Sequence, residues 1–329
     1  MRVFIAGATG VLGRRVVRRL IVRGHEVTGL ARSAENEVFL RSEGAYIARA
    51  DIFDRRALAH FVAGHDAVLH LATSIPRVVR PRRKDWALND ALRTRGTEAL
   101  MHAAVENNVK VYVQESIVHL YNRYDGSEVD EQIQPAPDLP YTLRSALTME
   151  RMIAEAVRQR GLPAITLRFG GFYGADAYST LALINGIRNR SIPIIGKGHA
   201  IWNLIHLDDA AAAVVQAVEM HEGNTGRIFN ITDDHPITMR ALWTTIAEMI
   251  CAPMPRTIPT ALARIIVGAD ATRFMLISMK VSNRAARNDL HWRPQYPSVR
   301  EGLQQVLQSI SFLSRVTHAG ESPAHSITS

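Results

Sequence analysis

The chain has 329 residues, 47% of them hydrophobic and 21% charged, with one cysteine, Cys251, and a net charge of +8. That length suits one large α/β domain, or a nucleotide-binding domain with a smaller partner. No apolar run reaches the ~18 residues of a membrane span, and a lone cysteine excludes an internal disulfide.

The first element is a strand through Val3, Phe4, Ile5 and Ala6, an apolar run suited to burial on both faces. Because it starts at residue 2 it leaves no room for a signal peptide, and a cytoplasmic location is expected. The chain then turns through Gly7, Thr9, Gly10, Val11, Leu12 and Gly13 into an amphipathic helix over residues 11–23. Gly7 permits the tight turn, Gly10 lets the backbone approach a pyrophosphate, and Gly13 lets helix and strand pack closely. The free N–H groups of the helix start face the anion, so the turn is a candidate dinucleotide site.

Gly24 ends that helix and residues 25–32 form a second strand. An NAD-preferring fold usually places Asp or Glu at its end; here stand Ala31, Arg32 and Ser33, and a guanidinium with a hydroxyl suits the 2′-phosphate of NADP. NADP is therefore the expected cofactor, with NAD the alternative. A third strand over residues 45–50 leads to Asp51 and Ile52 at the ligand edge. Asp51 is read either as an acceptor for the adenine amino group or as the cap of the helix that starts near Asp54. A fourth strand, residues 66–72, carries Leu71 and Ala72 toward Thr73 and Ser74, beside the cofactor, with His70 as a core residue.

Arg77, Arg80, Arg82, Arg83 and Lys84 form the densest basic run, read as a solvated face beside an anionic ligand and not as a nucleic-acid surface. A helix over residues 86–107 precedes the fifth strand, residues 110–116, with Ser116 at its carboxyl tip. A polar loop over residues 121–140, a helix over 141–160 and a sixth strand over 163–169 follow.

Beyond Gly170 the regular alternation fades. The expected organisation is a dinucleotide-binding domain over residues 1–170, with returning segments near 204–232. A smaller substrate domain takes 171–203 and 233–313, and a disordered tail covers 314–329. Phe172, Tyr173 and Trp202, with Thr73 and Ser74, are candidates for the substrate cleft; His119 is a spare acid or base candidate whose more ordinary reading is a surface loop histidine. No His/Cys/Asp/Glu group has ligand spacing, so no metal is expected, and Ser116 lacks the glycine-flanked elbow of a serine hydrolase.

Several pieces in one order carry a resemblance: the glycine turn, Asp51 with Ile52, His70 to Ala72, Gly96 with Thr97, Arg168 with Tyr173 and Gly174, Ile205 to Asp209, Phe229 to Ile231, Trp292, and Arg300 to Leu303. Over residues 1 to about 313 the chain resembles the NAD-dependent epimerase/dehydratase family of the extended short-chain dehydrogenases/reductases, which includes the UDP-sugar epimerases. The resemblance implies an α/β Rossmann fold, a doubly wound parallel sheet of six or seven strands with a smaller C-terminal substrate domain. It also implies a small-molecule substrate, a nucleotide sugar by family habit, and a possible homodimer through the helices near 86–107 and 141–160.

The family's catalytic set implies a Ser or Thr at the fifth strand tip and a Tyr-x-x-x-Lys in the next helix. Ser116 matches the first position, but Tyr141 is followed four residues on by Ser145, and no lysine occurs between Lys110 and Lys197. Aligning on Arg144, Ser145 and Glu150 instead places Thr142 at the Tyr position and Ala146 at the Lys position. Two readings follow. Either Tyr141 still exchanges the proton with Arg144, one turn away, as its cation, in an epimerase, dehydratase or reductase acting on a hydroxyl or keto carbon of a nucleotide sugar or other small carbonyl compound. Or the chain is a catalytically silent NADP-binding regulator, NmrA-like in character.

Overall fold

The computed structural model describes residues 1–319 apart from Val79, with side chains described through Ile310. The first stretch alternates β1 (Arg2–Ala6), α1 (Val11–Val22), β2 (Glu26–Ala31), α2 (Ala34–Ser42), β3 (Tyr46–Arg49), α3 (Arg55–Val62) and β4 (Ala67–His70). Next come α4 (Ala87–Ala91), α5 (Thr97–Glu106), β5 (Val111–Ile117), the two-residue β6 (Glu128–Val129), α6 (Tyr141–Arg160) and β7 (Ala164–Phe169). The last part holds β8 (Gly171–Tyr173), α7 (Tyr178–Arg188), β9 (Ile194–Ile195), β10 (Ile201–Trp202), β11 (Leu204–His206), α8 (Leu207–Glu219), β12 (Arg227–Ile231) and β13 (Ile237–Thr238). It closes with α9 (Met239–Met249), β14 (Thr257–Ile258), α10 (Thr260–Ile266), α11 (Ala269–Met275), β15 (Lys280–Val281), α12 (Arg284–Asp289) and α13 (Val299–Ala319).

Seven of the strands form one parallel sheet in the order β12-β7-β5-β4-β1-β2-β3. Apolar side chains alternate to its two faces. Val3, Ile5, Val111 and Val113 pack with Leu12, Val16, Leu20 and the alanines of α8, whereas Phe4, Val68 and Tyr112 pack with Leu58, Leu100 and Met149 from α3, α5 and α6. Strands β4, β5 and β7 are buried along nearly their whole length, which is why they read as continuous apolar runs; edge strand β3 leaves Tyr46 64% exposed. A third apolar cluster, around Trp243, joins α7, β9, α9 and α13 outside the sheet.

Three local features differ from the sequence expectation. The helix expected over 86–107 is broken: a 3₁₀ turn (Arg83–Trp86) precedes α4, and a π turn (Leu92–Gly96) separates α4 from α5. There the Thr97 N–H reaches the Leu92 carbonyl, five residues back, while the His70 ring approaches the same carbonyl at 3.1 Å. Strand β5 runs one residue past Ser116, to Ile117. Helix α13 continues to Ala319, so residues 314–319 of the expected tail are helical, and residues 320–329 lie outside the described residues.

Candidate active site

The glycine turn lies at the carboxyl end of β1. Gly7 has φ +90°, and a Cβ there would come within 2.5 Å of the Leu71 carbonyl carbon; a Cβ at Gly13 would stand 2.0 Å from the Gly7 oxygen. Both positions therefore require glycine for backbone packing. At Gly10, by contrast, a Cβ would meet only the Gly7 oxygen, at 3.4 Å. Gly10 is also the N-cap of α1 and offers no side chain to its first N–H groups, so helix dipole and donors open onto an uncluttered cradle. These residues fit a dinucleotide pyrophosphate.

Around the cradle, Val11 and half-buried Thr9 flank Gly10, while Leu12 points into the core and offers only its backbone. Arg32 is exposed directly after β2, beside Ser33, whose hydroxyl caps α2 at 3.4 Å from the Asn36 N–H. Asp51 is exposed and accepts the Phe53 N–H at 3.0 Å; Asp54, not Asp51, caps α3, taking the Arg56 and Ala57 N–H groups at 3.1 Å. The capping role read for Asp51 thus passes to Asp54. Ile52 and Leu71 are buried walls, Ala72 is half-buried, and Thr73 reaches the neighbouring cavity.

That cavity, about 720 Å³, opens where β4, β5 and β7 end, the ligand edge of a doubly wound sheet. Its wall is mostly apolar and carries the rings of Trp86, Phe169, Phe172, Tyr173, Trp202, Trp243 and Phe274. Trp202 stands edge-on to Trp243 at 5.2 Å and donates its indole N–H to the Met275 carbonyl at 3.1 Å. The Tyr173 hydroxyl donates to Asp233 at 3.0 Å, and burial beside that carboxylate pushes the phenol well above its ordinary range. Both rings therefore present apolar faces to the cavity. His119, expected on the surface, instead forms part of the wall, stacked on Phe274 at 4.6 Å, and burial pulls its pKa down to about 4. Ser74 gives its backbone N–H to Asn89 at 3.0 Å and does not line the cavity, whereas Thr73 and Ile75 do.

The catalytic expectation changes most. The pleat of β5 turns Ser116 toward α6, where its hydroxyl donates to Glu150 at 2.5 Å. Glu150 also receives a two-pronged bond from Arg168, at 2.9 and 2.6 Å, with the Tyr121 ring under the guanidinium at 4.9 Å. Ser116 is 1% exposed, and its proton is committed to this buried network. Ser116 does not line the cavity, and the strand neighbours that reach it are Glu115 and Ile117. Tyr141 does line the cavity, with its hydroxyl donated to the Pro81 carbonyl at 3.3 Å. Partial burial and the Asp270 carboxylate raise its pKa, the reverse of what phenolate stabilisation needs. Arg144 is exposed, donates to the Leu139 carbonyl at 3.2 Å and does not line the cavity. Thr142 lines the cavity and its buried hydroxyl has no partner among the described residues, while Ala146 lies in an apolar cluster.

Two cavity residues escaped the sequence reading. Glu115, 9% exposed on β5, has its pKa pushed up to about 7 by burial, against the opposing pull of Arg93. Arg93, 5% exposed, is carried inward by the π turn. The available signal was a charged residue inside an apolar strand run, residues 111–117. Among the described residues no group of three or more His, Cys, Asp or Glu could hold a metal, and no helix is long and apolar enough to cross a membrane.

The chain is similar to known proteins in both sequence and fold. The model of the NAD dependent epimerase/dehydratase family matches residues 3–232. A 3-diazoavenalumate denitrifying reductase from a Streptomyces species is 32% identical over 92% of this chain and 99% of its own length. A 4-hydroxy-2-methyl-3-oxo-4-farnesyl-3,4-dihydroquinoline-1-oxide ketoreductase from Stigmatella aurantiaca is 27% identical over 75% and 73%. Among solved structures, a human epimerase family protein with NADPH superposes with a TM-score of 0.78 at 20% identity, covering 94% of this chain and 99% of that one. UDP-glucose 4-epimerase of Thermotoga maritima, with UDP-glucose, gives 0.77 at 20% identity, covering 96% and 100%. These two likenesses establish the fold. The chain belongs to the NAD-dependent epimerase/dehydratase family of extended short-chain dehydrogenases/reductases, a family of nicotinamide-dependent enzymes.

Proposed function

We propose that the chain is an NADP(H)-preferring reductase of a small aromatic or otherwise apolar carbonyl compound. The observation that carries this reading is the cavity wall: Trp, Phe and Tyr rings line it together with one buried carboxyl, Glu115. A nucleotide sugar presents many hydroxyls and two phosphates, whereas most of this wall is apolar and its cations are Arg80 and Arg93. The two reductases described above are named for substrates that are not sugars, which supports the same choice.

A bound nicotinamide dinucleotide would supply the reducing hydride, with its pyrophosphate held by the N–H groups after Gly10 and its 2′-phosphate paired with Arg32. Trp86, Trp202 and Phe172 would orient the flat substrate and exclude water. Glu115 would hold the proton at its carboxyl oxygen and give it to the carbonyl oxygen of the substrate as that carbonyl is reduced, which leaves Glu115 as carboxylate. Solvent then reprotonates it.

The test is NADPH and NADH oxidation with a panel of aromatic ketones, set beside product analysis of UDP-glucose and dTDP-glucose incubated with NAD⁺ or NADP⁺. Conversion of the nucleotide sugars with no reduction of any ketone would reject the proposal. Tight NADPH binding with no turnover on any compound would select the silent regulator.

A further inference from the structure

Two arginines are buried among the described residues, and the fold treats them differently. Arg168, 1% exposed, is held by Glu150 through two short hydrogen bonds and capped by the Tyr121 ring. Arg93, 5% exposed, makes no hydrogen bond, ion pair or ring contact among the described residues, and it faces the cavity. A guanidinium stays protonated even where burial lowers its pKa, so Arg93 brings a full positive charge with five donors into a largely apolar space. Leaving such a charge unmatched costs free energy, and a buried arginine normally has its partner built in. Glu115 is the first carboxyl to feel it, followed by Asp90 and Glu150, but none of the three forms an ion pair with it, and at neutral pH burial leaves Glu115 only partly ionised.

The backbone is arranged to put this charge here. The π turn Leu92–Gly96 carries Arg93 on an extra residue per turn, and the His70 ring steadies the carbonyl of its neighbour, Leu92. We propose that Arg93 is the receptor for a carboxylate on an otherwise aromatic substrate, which completes the cavity's charge balance and sets which compounds it accepts. The proposal rests on the cavity being the substrate site, as argued above. A planar carboxylate matches the guanidinium fork with two parallel bonds. One unmatched guanidinium beside a carboxyl suits a single negative charge, whereas a diphosphate would bring further charge against Glu115, and the other buried arginine, Arg168, is already held by Glu150.

The experiment compares trans-cinnamate with trans-cinnamamide, the same body with and without the charge, by quenching of tryptophan fluorescence; Trp86, Trp202 and Trp243 line the cavity. With NADP⁺ present, the wild-type protein binds the acid about ten-fold more tightly than the amide, or better. Arg93→Gln abolishes that preference while holding its affinity for the amide, and Arg93→Lys keeps part of it. Equal wild-type affinities for acid and amide overturn the proposal, as does a preference that survives Arg93→Gln, or one lost on Arg80→Gln at the cavity rim instead. The wild-type comparison decides even where Arg93→Gln fails to fold. An intact acid preference in a protein that reduces no ketone supports the receptor and counts against the reductase reading alone.

Discussion

Glu115 and Ser116 are neighbours in β5, and the pleat sends their side chains to opposite faces. Ser116→Ala removes one donor from the Glu150 carboxylate, which keeps both Arg168 bonds. We expect a loss of roughly 1 kcal/mol in urea unfolding and little change in turnover. Glu115→Gln keeps the shape but holds no transferable proton, and should lower kcat on a ketone by about a hundred-fold or more. The charged group that bears on Glu115 is Arg93 from the π turn, while His119, Tyr141 and Asp270 line the same cavity. Because the acid form acts, kcat falls as pH rises through about 7, and a flat profile across that range would reject the role. Stability follows the same sign: a carboxyl raised from 4.5 to about 7 contributes fully below pH 4.5 and loses that contribution as pH passes 7, so Glu115→Gln gains relative stability above it. At the other end of the site, Arg32→Ala should weaken NADPH binding by about ten-fold and leave NADH nearly unchanged. An equal loss for both would show Arg32 to be a solvated strand-end charge.

At the scale of the element, the turn between β1 and α1 separates two uses of glycine. Gly13→Ala puts a methyl 2.0 Å from a backbone oxygen that has nowhere to go, and should cost roughly 2 kcal/mol or more in thermal unfolding together with cofactor binding. Gly10→Ala has room in the folded protein but fills the space the pyrophosphate would use; we expect an unchanged Tm and at least about ten-fold weaker NADPH binding. Equal losses of Tm in the two variants would contradict the cradle. This element was legible in sequence because strand, glycines and helix are adjacent in the chain. The π turn was not: one extra residue barely disturbs the apolar spacing of residues 86–107, and its carbonyl partner, the His70 ring, comes from another strand.

Across the whole molecule, the sheet and the Trp243 cluster meet at Tyr173. Its hydroxyl is donated to Asp233, 3% exposed, and its ring covers Gly302 of α13, where a Cβ would lie 2.3 Å from the phenol oxygen. Asp233 Oδ1 already lacks a partner among the described residues, and burial raises this carboxyl well above its ordinary range. Tyr173→Phe leaves the second oxygen unmatched as well, and should cost about 1–3 kcal/mol in denaturant unfolding, with the larger loss at higher pH where Asp233 is driven to ionise. A variant as stable as the wild type at every pH would show that the pair does not join the two parts.

The sequence by itself determined the doubly wound sheet and the glycine turn that opens it, because strand burial and glycine spacing are local properties of the chain. Only the tertiary structure decided which polar groups reach the cavity. Strand pairing sets Ser116 opposite Arg168, and α6 brings Glu150 between them, so the expected hydroxyl is used inside the core. The same pleat turns Glu115 to the cavity, and the π turn delivers Arg93 beside it, a meeting of residues 22 positions apart along the chain that no local pattern encodes.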